Sequence, residues 1–347
     1  MREVFVEAEN GSYAIKIERG LLPRLGAELK EMGISRAAIV TDETVNALYG
    51  AAAEKSLREA GIRAKIIVLP AGEHTKSQKY LYEIYDELAA FGVHRSDALV
   101  ALGGGVIGDL AGFAAATYMR GIGFIQVPTT LLAQVDSSVG GKVAINLPYA
   151  KNIIGSFYQP GLVLIDTATL DSLDARQFAA GMAEVIKYAA IFDETMETMI
   201  RARDLEAIVC RSCEIKADYV RRDPFDKGCR MELNFGHTLG HCLEVQTDFS
   251  VLHGEGVAVG MAAMAKIGEN KGITEPGTYE RLISLLDDFG LAHDPAIFDR
   301  ETLEKTVNKD KKMEKGGVRA IFLERMGKAV AKTLPAAELI AGWEELL

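Results

Sequence analysis

The sequence is poor in cysteine, in basic charge and in long apolar runs, and each shortage removes a class of function. Of 347 residues only four are cysteines: Cys210, Cys213, Cys229 and Cys242. Cys210-x-x-Cys213 has the spacing of a metal clip, but no second C-x-x-C completes it and the pair falls in a helical pattern. The expectation is two helix residues with free thiols. Lys and Arg total 39 against 49 Asp and Glu, a net charge of −10. That balance argues against a nucleic-acid partner and makes any local cluster of cations more informative. No apolar run reaches the length of a membrane span, and the first residues, Met-Arg-Glu-Val-Phe-Val-Glu, lack a signal-peptide core. The expectation is a cytoplasmic protein with no membrane partner. There is no internal repeat and no low-complexity segment.

The length suggests two domains. Strand-like runs at Tyr13–Glu18, Ala37–Asp42, Ala64–Pro70, Ala98–Leu102, Phe124–Pro128 and Leu162–Asp166 alternate with helical runs. The helical runs are Leu22–Met32, Glu43–Ala60, Ser77–Phe91 and Val106–Met119. Alternation of this kind predicts an α/β domain over 1–174 with a Rossmann-like, mainly parallel sheet. Beyond it, helical periodicity dominates Ala175–Ala190, Leu205–Arg222, Cys229–Val245, Gly254–Lys271 and Tyr279–Phe289, with a late hairpin at Val318–Phe322 and Ala329–Lys332. A mostly α-helical second domain over 175–347 is expected.

The strand Asp97–Leu102 runs into Gly103-Gly-Gly-Val-Ile-Gly-Asp109 and then a small-residue helix. Strand, glycine turn and helix together make a G-x-G-x-x-G match meaningful: glycines admit a pyrophosphate close to backbone N–H groups at a helix N-terminus. Glycine turns also arise simply because a helix packs closely on a strand. No acid ends a strand about 20 residues further on, where a ribose partner is expected. Asp42, at the end of an earlier strand, is the ribose candidate, in a sheet whose order differs from the usual dinucleotide fold. Asp42, Gly72–Lys76, Gly103–Asp109 and Thr129-Thr130 all fall at the carboxyl ends of strands, where ligands of such sheets bind.

Three of the six histidines fall within Asn234–His253. His237 and His241 are four apart, on one side of a helix, and His253 opens the next. Singly each reads as a cap or a core residue. Clustered beside Gly236, Gly240 and Gly254, they point toward a divalent metal. Glu184 lies among apolar neighbours, so it needs a partner, which a metal or Lys187 would supply. Two His and one Glu form an open ligand set with room for a substrate oxygen. The cations Arg120, Lys151, Lys216 and Arg230 read singly as surface charges. Lys142 follows a Gly-Gly turn in a weakly charged stretch, which fits a phosphate or carboxylate ligand better.

These residues sit in long motifs. Gly103-Gly-Gly-Val-Ile-Gly-Asp-Leu-Ala-Gly-Phe113, Tyr118-Met-Arg-Gly121, Val127-Pro-Thr-Thr-Leu-Leu-Ala133, Asp136-Ser-Ser-Val-Gly-Gly-Lys142, Lys151-Asn-Ile-Ile-Gly-Ser-Phe157, Glu184-Val-Ile-Lys187, Asn234-Phe-Gly-His-Thr238 and His253-Gly-Glu255 resemble the 3-dehydroquinate synthase family of the sugar phosphate cyclases. The resemblance runs from about residue 37 to 330. It implies a carbon–oxygen lyase of the shikimate pathway that uses NAD⁺ and a divalent metal, Zn²⁺ or Co²⁺. Its substrate is 3-deoxy-D-arabino-heptulosonate 7-phosphate and its products are 3-dehydroquinate and phosphate. Transient oxidation at C5 acidifies the adjacent C–H, phosphate is eliminated, the ketone is reduced again and an aldol step closes the ring. No net redox results.

Position by position, the resemblance implies metal ligands Glu184, His237 and His253. It implies cofactor contacts at Asp42, Glu73, Lys76, Gly104, Gly105, Val106, Asp109, Thr129, Thr130, Lys142, Lys151, Thr169, Leu170, Asp171 and Ser172. Substrate contacts fall at Asp136, Lys142, Lys151, Asn152, Lys187, Lys216, Arg230, Asn234, His241 and one of Lys311 or Lys312. Of these Lys142, Lys187, His241, Asn234 and Asp136 are implied to be catalytic. So is Arg120, reaching the neighbouring subunit of a homodimer. Ala71, Cys242, Gly256 and Pro224-Phe225 depart from the family pattern, and none removes a ligand or base. The alternatives are a related sugar phosphate cyclase and a metal-dependent polyol dehydrogenase, which would consume NAD⁺ stoichiometrically.

Overall fold

The computed structural model describes residues 1–9, 11–248, 250–311 and 317–347, with side chains for all of these except 308–311. The chain divides into two compact units. One comprises Met1–Leu173 with Val209–Phe225, the other Asp174–Ile208 with Asp226–Leu347.

The first unit is built on a seven-stranded sheet. Its strands are β1 (Arg2–Val6), β2 (Tyr13–Glu18), β3 (Arg36–Asp42), β4 (Arg63–Leu69), β5 (Ala98–Gly103) and β6 (Gly123–Pro128), followed after a separate hairpin by β9 (Leu162–Asp166). The order is β1-β2-β9-β6-β5-β3-β4. All neighbours pair in parallel except β1 with β2. All six residues of β5 are buried, as a strand covered on both faces must be. Alternate residues feed two cores. Ala38, Val40, Leu99 and Ala101 pack with Leu81, Leu88, Leu110 and Ala114, from helices Gln78–Phe91 and Gly105–Thr117. Ala37, Ile39, Val100 and Leu102 pack with Leu25, Leu29 and Leu57, from helices Leu25–Glu31 and Ala51–Glu59.

The six strands expected in this half are all present. Three further strands are present: β1, β7 (Lys142–Leu147) and β8 (Ala150–Phe157). The last two form an antiparallel hairpin outside the main sheet. Residues 151–156 of β8 are all exposed, so no apolar alternation marks it as a strand. The helix expected to reach Met119 stops at Thr117, because Met119 and Arg120 have φ of 51° and 66°.

In the second unit the helices are Ala175–Ile191, Met196–Ala202, His237–Gln246, His253–Asn270, Thr278–Asp287, Arg300–Lys311 and Ala336–Glu344, with a hairpin of β10 (Val318–Arg325) and β11 (Lys328–Leu334). The helix Leu205–Arg222 begins here and ends in the first unit. The continuous helix expected over Cys229–Val245 is broken. A 3₁₀ turn, Cys229–Asn234, gives way to His237–Gln246 across Gly236, whose φ is 79°. A Cβ on Gly236 would lie 2.8 Å from the Val257 carbonyl oxygen, so only glycine lets the chain turn there against the neighbouring helix. Among the described residues no helix is long and apolar enough to cross a membrane. Cys210 and Cys213 are buried free thiols on one helix, as expected.

Candidate active site

The helix Ala175–Ile191 opens on Asp174, whose carboxylate accepts from the N–H groups of Arg176 and Gln177 at 2.9 and 3.3 Å. Every residue from Ala180 to Ile191 is buried, so this stretch has no solvated face. The side chains of Glu184 and Lys187 are only 1% and 2% exposed, and one turn apart they satisfy each other: Lys187 Nζ donates to Glu184 Oε2.

The second carboxylate oxygen faces two imidazoles. His237 Nε2 lies 3.7 Å and His253 Nε2 3.5 Å from Glu184 Oε1. Each ring is also engaged through its other nitrogen. His237 Nδ1 is 3.2 Å from the Phe235 carbonyl oxygen, and His253 Nδ1 is 2.7 Å from Glu244 Oε1. His241 is exposed, and its ring lies 5.5 Å from that of His237 and 6.1 Å from that of His253, centre to centre.

Glycine permits this convergence. A Cβ on Gly254 would lie 1.9 Å from the Ala180 carbonyl oxygen, and one on Gly260 2.0 Å from that of Gly236. The helix carrying His253 therefore meets both the helix of Glu184 and the N-terminus of the His237 helix backbone to backbone.

The three donor atoms lie within 4.8 Å of one another. Donors about 2.0–2.1 Å from a tetrahedral zinc ion stand about 3.3 Å apart, so a slight contraction would fit Glu184, His237 and His253 to a divalent cation. The electrostatics of His237 point the same way. Burial, helped by the Lys187 ammonium, pushes His237 down to about 3, leaving it neutral and able to bind a cation. Burial also acts against charge on His253, but hydrogen bonds to Glu184 and Glu244 outweigh it and hold that imidazolium up to about 9.

In the first unit, helix Gly105–Thr117 begins at Gly104 with no side-chain cap, so its first N–H groups are available to an anion. Gly108 and Gly112 seat this helix: added Cβ atoms would lie 2.8 Å from Gln126 Oε1 and 2.4 Å from Val143 Cγ1. Lys76 Nζ donates to Asp109 Oδ2 and Asn152 Oδ1, both at 2.5 Å. Burial raises the Asp109 pKa, and Lys76 opposes it. Asn146 Nδ2 donates to Glu73 Oε1 at 2.7 Å, and Asn146 Oδ1 accepts from Asn152 N at 2.9 Å. The loop Glu73–Lys76 and the β7–β8 hairpin are thus tied together.

Other positions fall around that framework. The Thr129 N–H donates to Gly103 O at 3.0 Å. Its hydroxyl is buried with no hydrogen-bond partner among the described residues. An uncapped helix start beside an unsatisfied buried hydroxyl suits a dinucleotide phosphate. Asp42 Oδ1 accepts from Val45 N at 2.9 Å, and Thr130 Oγ1 from Ala133 N at 3.2 Å. Within the turn Thr167–Ser172, Ser172 Oγ lies 2.6 Å from Tyr49 OH, Asp171 pairs with Arg19, and Leu170 is buried, so Leu170 can offer only backbone. Lys216 Nζ donates to Asp136 Oδ1 at 2.5 Å. Lys142 and Lys151 are exposed on the hairpin, and Asn152 beside them has φ 54°.

In the second unit Arg230 is buried and Asn234 exposed. Lys311 ends helix Arg300–Lys311, and its side chain, like the whole of Lys312, lies outside the described residues.

Comparison with known proteins decides which family carries this arrangement. The 3-dehydroquinate synthase N-terminal family matches residues 66–180 and the C-terminal family residues 181–313. A 3-dehydroquinate synthase of Enterococcus faecalis is 46% identical over 340 residues, 95% of each chain. One from Pelobacter propionicus is 45% identical over 352 residues, 98% of each. The chain belongs to the 3-dehydroquinate synthase family. Among solved structures, a 2-deoxy-scyllo-inosose synthase complexed with carbaglucose-6-phosphate, NAD⁺ and Co²⁺ shares the fold, with a TM-score of 0.91 at 24% identity over 100% of both chains.

A Cβ on Gly256 would lie 2.9 Å from the Gly240 carbonyl oxygen, so the two histidine-bearing helices cross closely there. Sequence reasoning missed Glu244, the partner of His253. Its signal was its place seven residues after His237, two turns along the same helix face. It also missed Asn146, which joins Glu73 to Asn152.

Proposed function

We propose that this chain is a 3-dehydroquinate synthase. It converts 3-deoxy-D-arabino-heptulosonate 7-phosphate to 3-dehydroquinate and phosphate in the shikimate pathway. The observation that carries this reading is the Glu184–His237–His253 donor set, in a chain 45–46% identical to two relatives of that name over nearly their whole length.

NAD⁺ supplies a reversible hydride acceptor, and a divalent metal, Zn²⁺ or Co²⁺, supplies Lewis acidity toward the substrate's oxygens. Glu184, His237 and His253 hold the metal. Lys187 fixes the Glu184 carboxylate through Oε2 and leaves Oε1 toward the imidazoles. N–H groups at Gly104, Gly105 and Val106 bind the cofactor phosphates, supported by Thr129 and Thr130. Asp42 takes the ribose. Glu73, Lys76, Asp109 and Thr169–Ser172 complete that site. The substrate's phosphate carries up to about two negative charges, which Lys142, Lys151 and Arg230 meet. Asp136, Asn152, Lys216, Asn234 and one of Lys311 or Lys312 orient the sugar. His241 carries protons and Lys187 steadies a developing oxyanion. Arg120, exposed on a turn with positive φ, serves the neighbouring subunit of a homodimer. We place the protein in the cytoplasm.

The test compares substrates. With NAD⁺ and Zn²⁺ present, the heptulosonate phosphate should yield equal amounts of phosphate and 3-dehydroquinate, and a hexose 6-phosphate neither. Faster phosphate release from the hexose phosphate would assign the chain to a different sugar phosphate cyclase.

A further inference from the structure

Glu244 is a buried carboxylate, 7% exposed, on the helix that carries His237. Its Oε1 lies 2.7 Å from His253 Nδ1, while His253 Nε2 faces Glu184 Oε1 at 3.5 Å. One imidazole thus spans two carboxylates, one at each ring nitrogen. The backbone under that ring is held as well. Glu255 Oε2 accepts from Leu252 N at 2.8 Å, and both Glu255 oxygens accept from Arg176, Nε to Oε1 at 2.6 Å and Nη2 to Oε2 at 2.7 Å. Arg176 Nη2 also donates to the Ser250 carbonyl oxygen at 3.1 Å. With the helix start fixed, the ring of His253 keeps one main freedom, rotation about its own side-chain bonds, and the Glu244 contact removes it.

We propose that Glu244 is a positioning residue for the metal centre. It accepts the Nδ1–H of His253, so that the lone pair on Nε2 is the one presented beside Glu184 and His237. A carboxylate behind a ligating imidazole both orients the ring and makes it a stronger donor. The inference rests on the reading of Glu184, His237 and His253 as metal ligands. The helix of Glu244 thereby contributes to the site twice, through His237 directly and through His253 at one remove.

The test uses the full chain, stripped of metal and titrated with Co²⁺ alone. Affinity is read by competition with a chelator and ligand geometry by the visible absorption of the bound ion. Wild type should bind one Co²⁺, and His237→Ala should lose it. A wild type that binds none overturns the ligand reading and this inference with it. If wild type binds, Glu244→Ala should hold Co²⁺ about 10- to 100-fold more weakly, with shifted absorption bands, while Glu244→Gln, which keeps an acceptor, should fall between the two. Co²⁺ binding by Glu244→Ala within twofold of wild type, with unchanged bands, overturns the role of Glu244 and leaves the ligand reading standing. Should the alanine variant fail to fold, Glu244→Gln decides: weaker binding with moved bands supports the role, and wild-type affinity with wild-type bands refutes it.

Discussion

Each oxygen of Glu184 has its own neighbours, and that division sets the chemistry of the site. Lys187 engages Oε2 while the imidazoles of His237 and His253 face Oε1. In the metal-free protein the two histidines differ in charge at neutral pH: His237 is held down to about 3 and His253 up to about 9. Because the folded-state pKa of His253 lies above its unfolded value, its pairing stabilises the metal-free fold fully below about pH 6.5. That contribution is lost as the pH rises through about 9. A metal at Nε2 must displace that proton. Binding of Zn²⁺ at about pH 7.5 should therefore release about one proton. Calorimetry in buffers of different ionisation enthalpy would show it as a buffer-dependent heat, and a buffer-independent heat would contradict the assignment. Glu184 and the histidines were legible because an acid among apolar residues and a rare residue type in a cluster both stand out. Glu244 was not, because one acid on a helix looks like any solvated face until its burial is known.

At the scale of elements, the site depends on how closely three helices approach. Backbone meets backbone at Gly254 with Ala180 and at Gly260 with Gly236, and a methyl group has no flexible neighbour to displace there. Gly254→Ala should cost more than the roughly 1–3 kcal/mol typical of overpacking and should weaken Zn²⁺ binding in the same variant. Gly272→Ala is the control: its φ is 64° but a Cβ would meet nothing within 4 Å. It should cost about 1–2 kcal/mol and leave metal binding unchanged. Urea unfolding and a chelator titration on both variants check this, and equal losses would remove the helix approach from the account. The buried strands of the sheet were legible from continuous apolar runs between glycine and proline. The β7–β8 hairpin was not, since an exposed strand lacks the alternation that reading depends on. Nor was the break at Gly236, which is forced by a helix distant in sequence.

For the whole molecule, the proposed homodimer makes a prediction that no single chain can satisfy. Arg120→Ala and His253→Ala should each be inactive alone. Mixed, unfolded together and refolded, half the dimers should be hybrids with one complete site of two, restoring about a quarter of wild-type activity. No recovery on mixing would place Arg120 in its own subunit's chemistry, and an active Arg120→Ala alone would place it outside the chemistry.

On the proposed function, the chain uses its nicotinamide cofactor transiently and returns it. The most direct measurement supplies NAD⁺ at about a hundredth of the heptulosonate phosphate and follows phosphate and NADH together. Phosphate release should run to completion while NADH absorbance stays flat. NADH rising in step with substrate loss, with conversion halting once the NAD⁺ is spent, would contradict it.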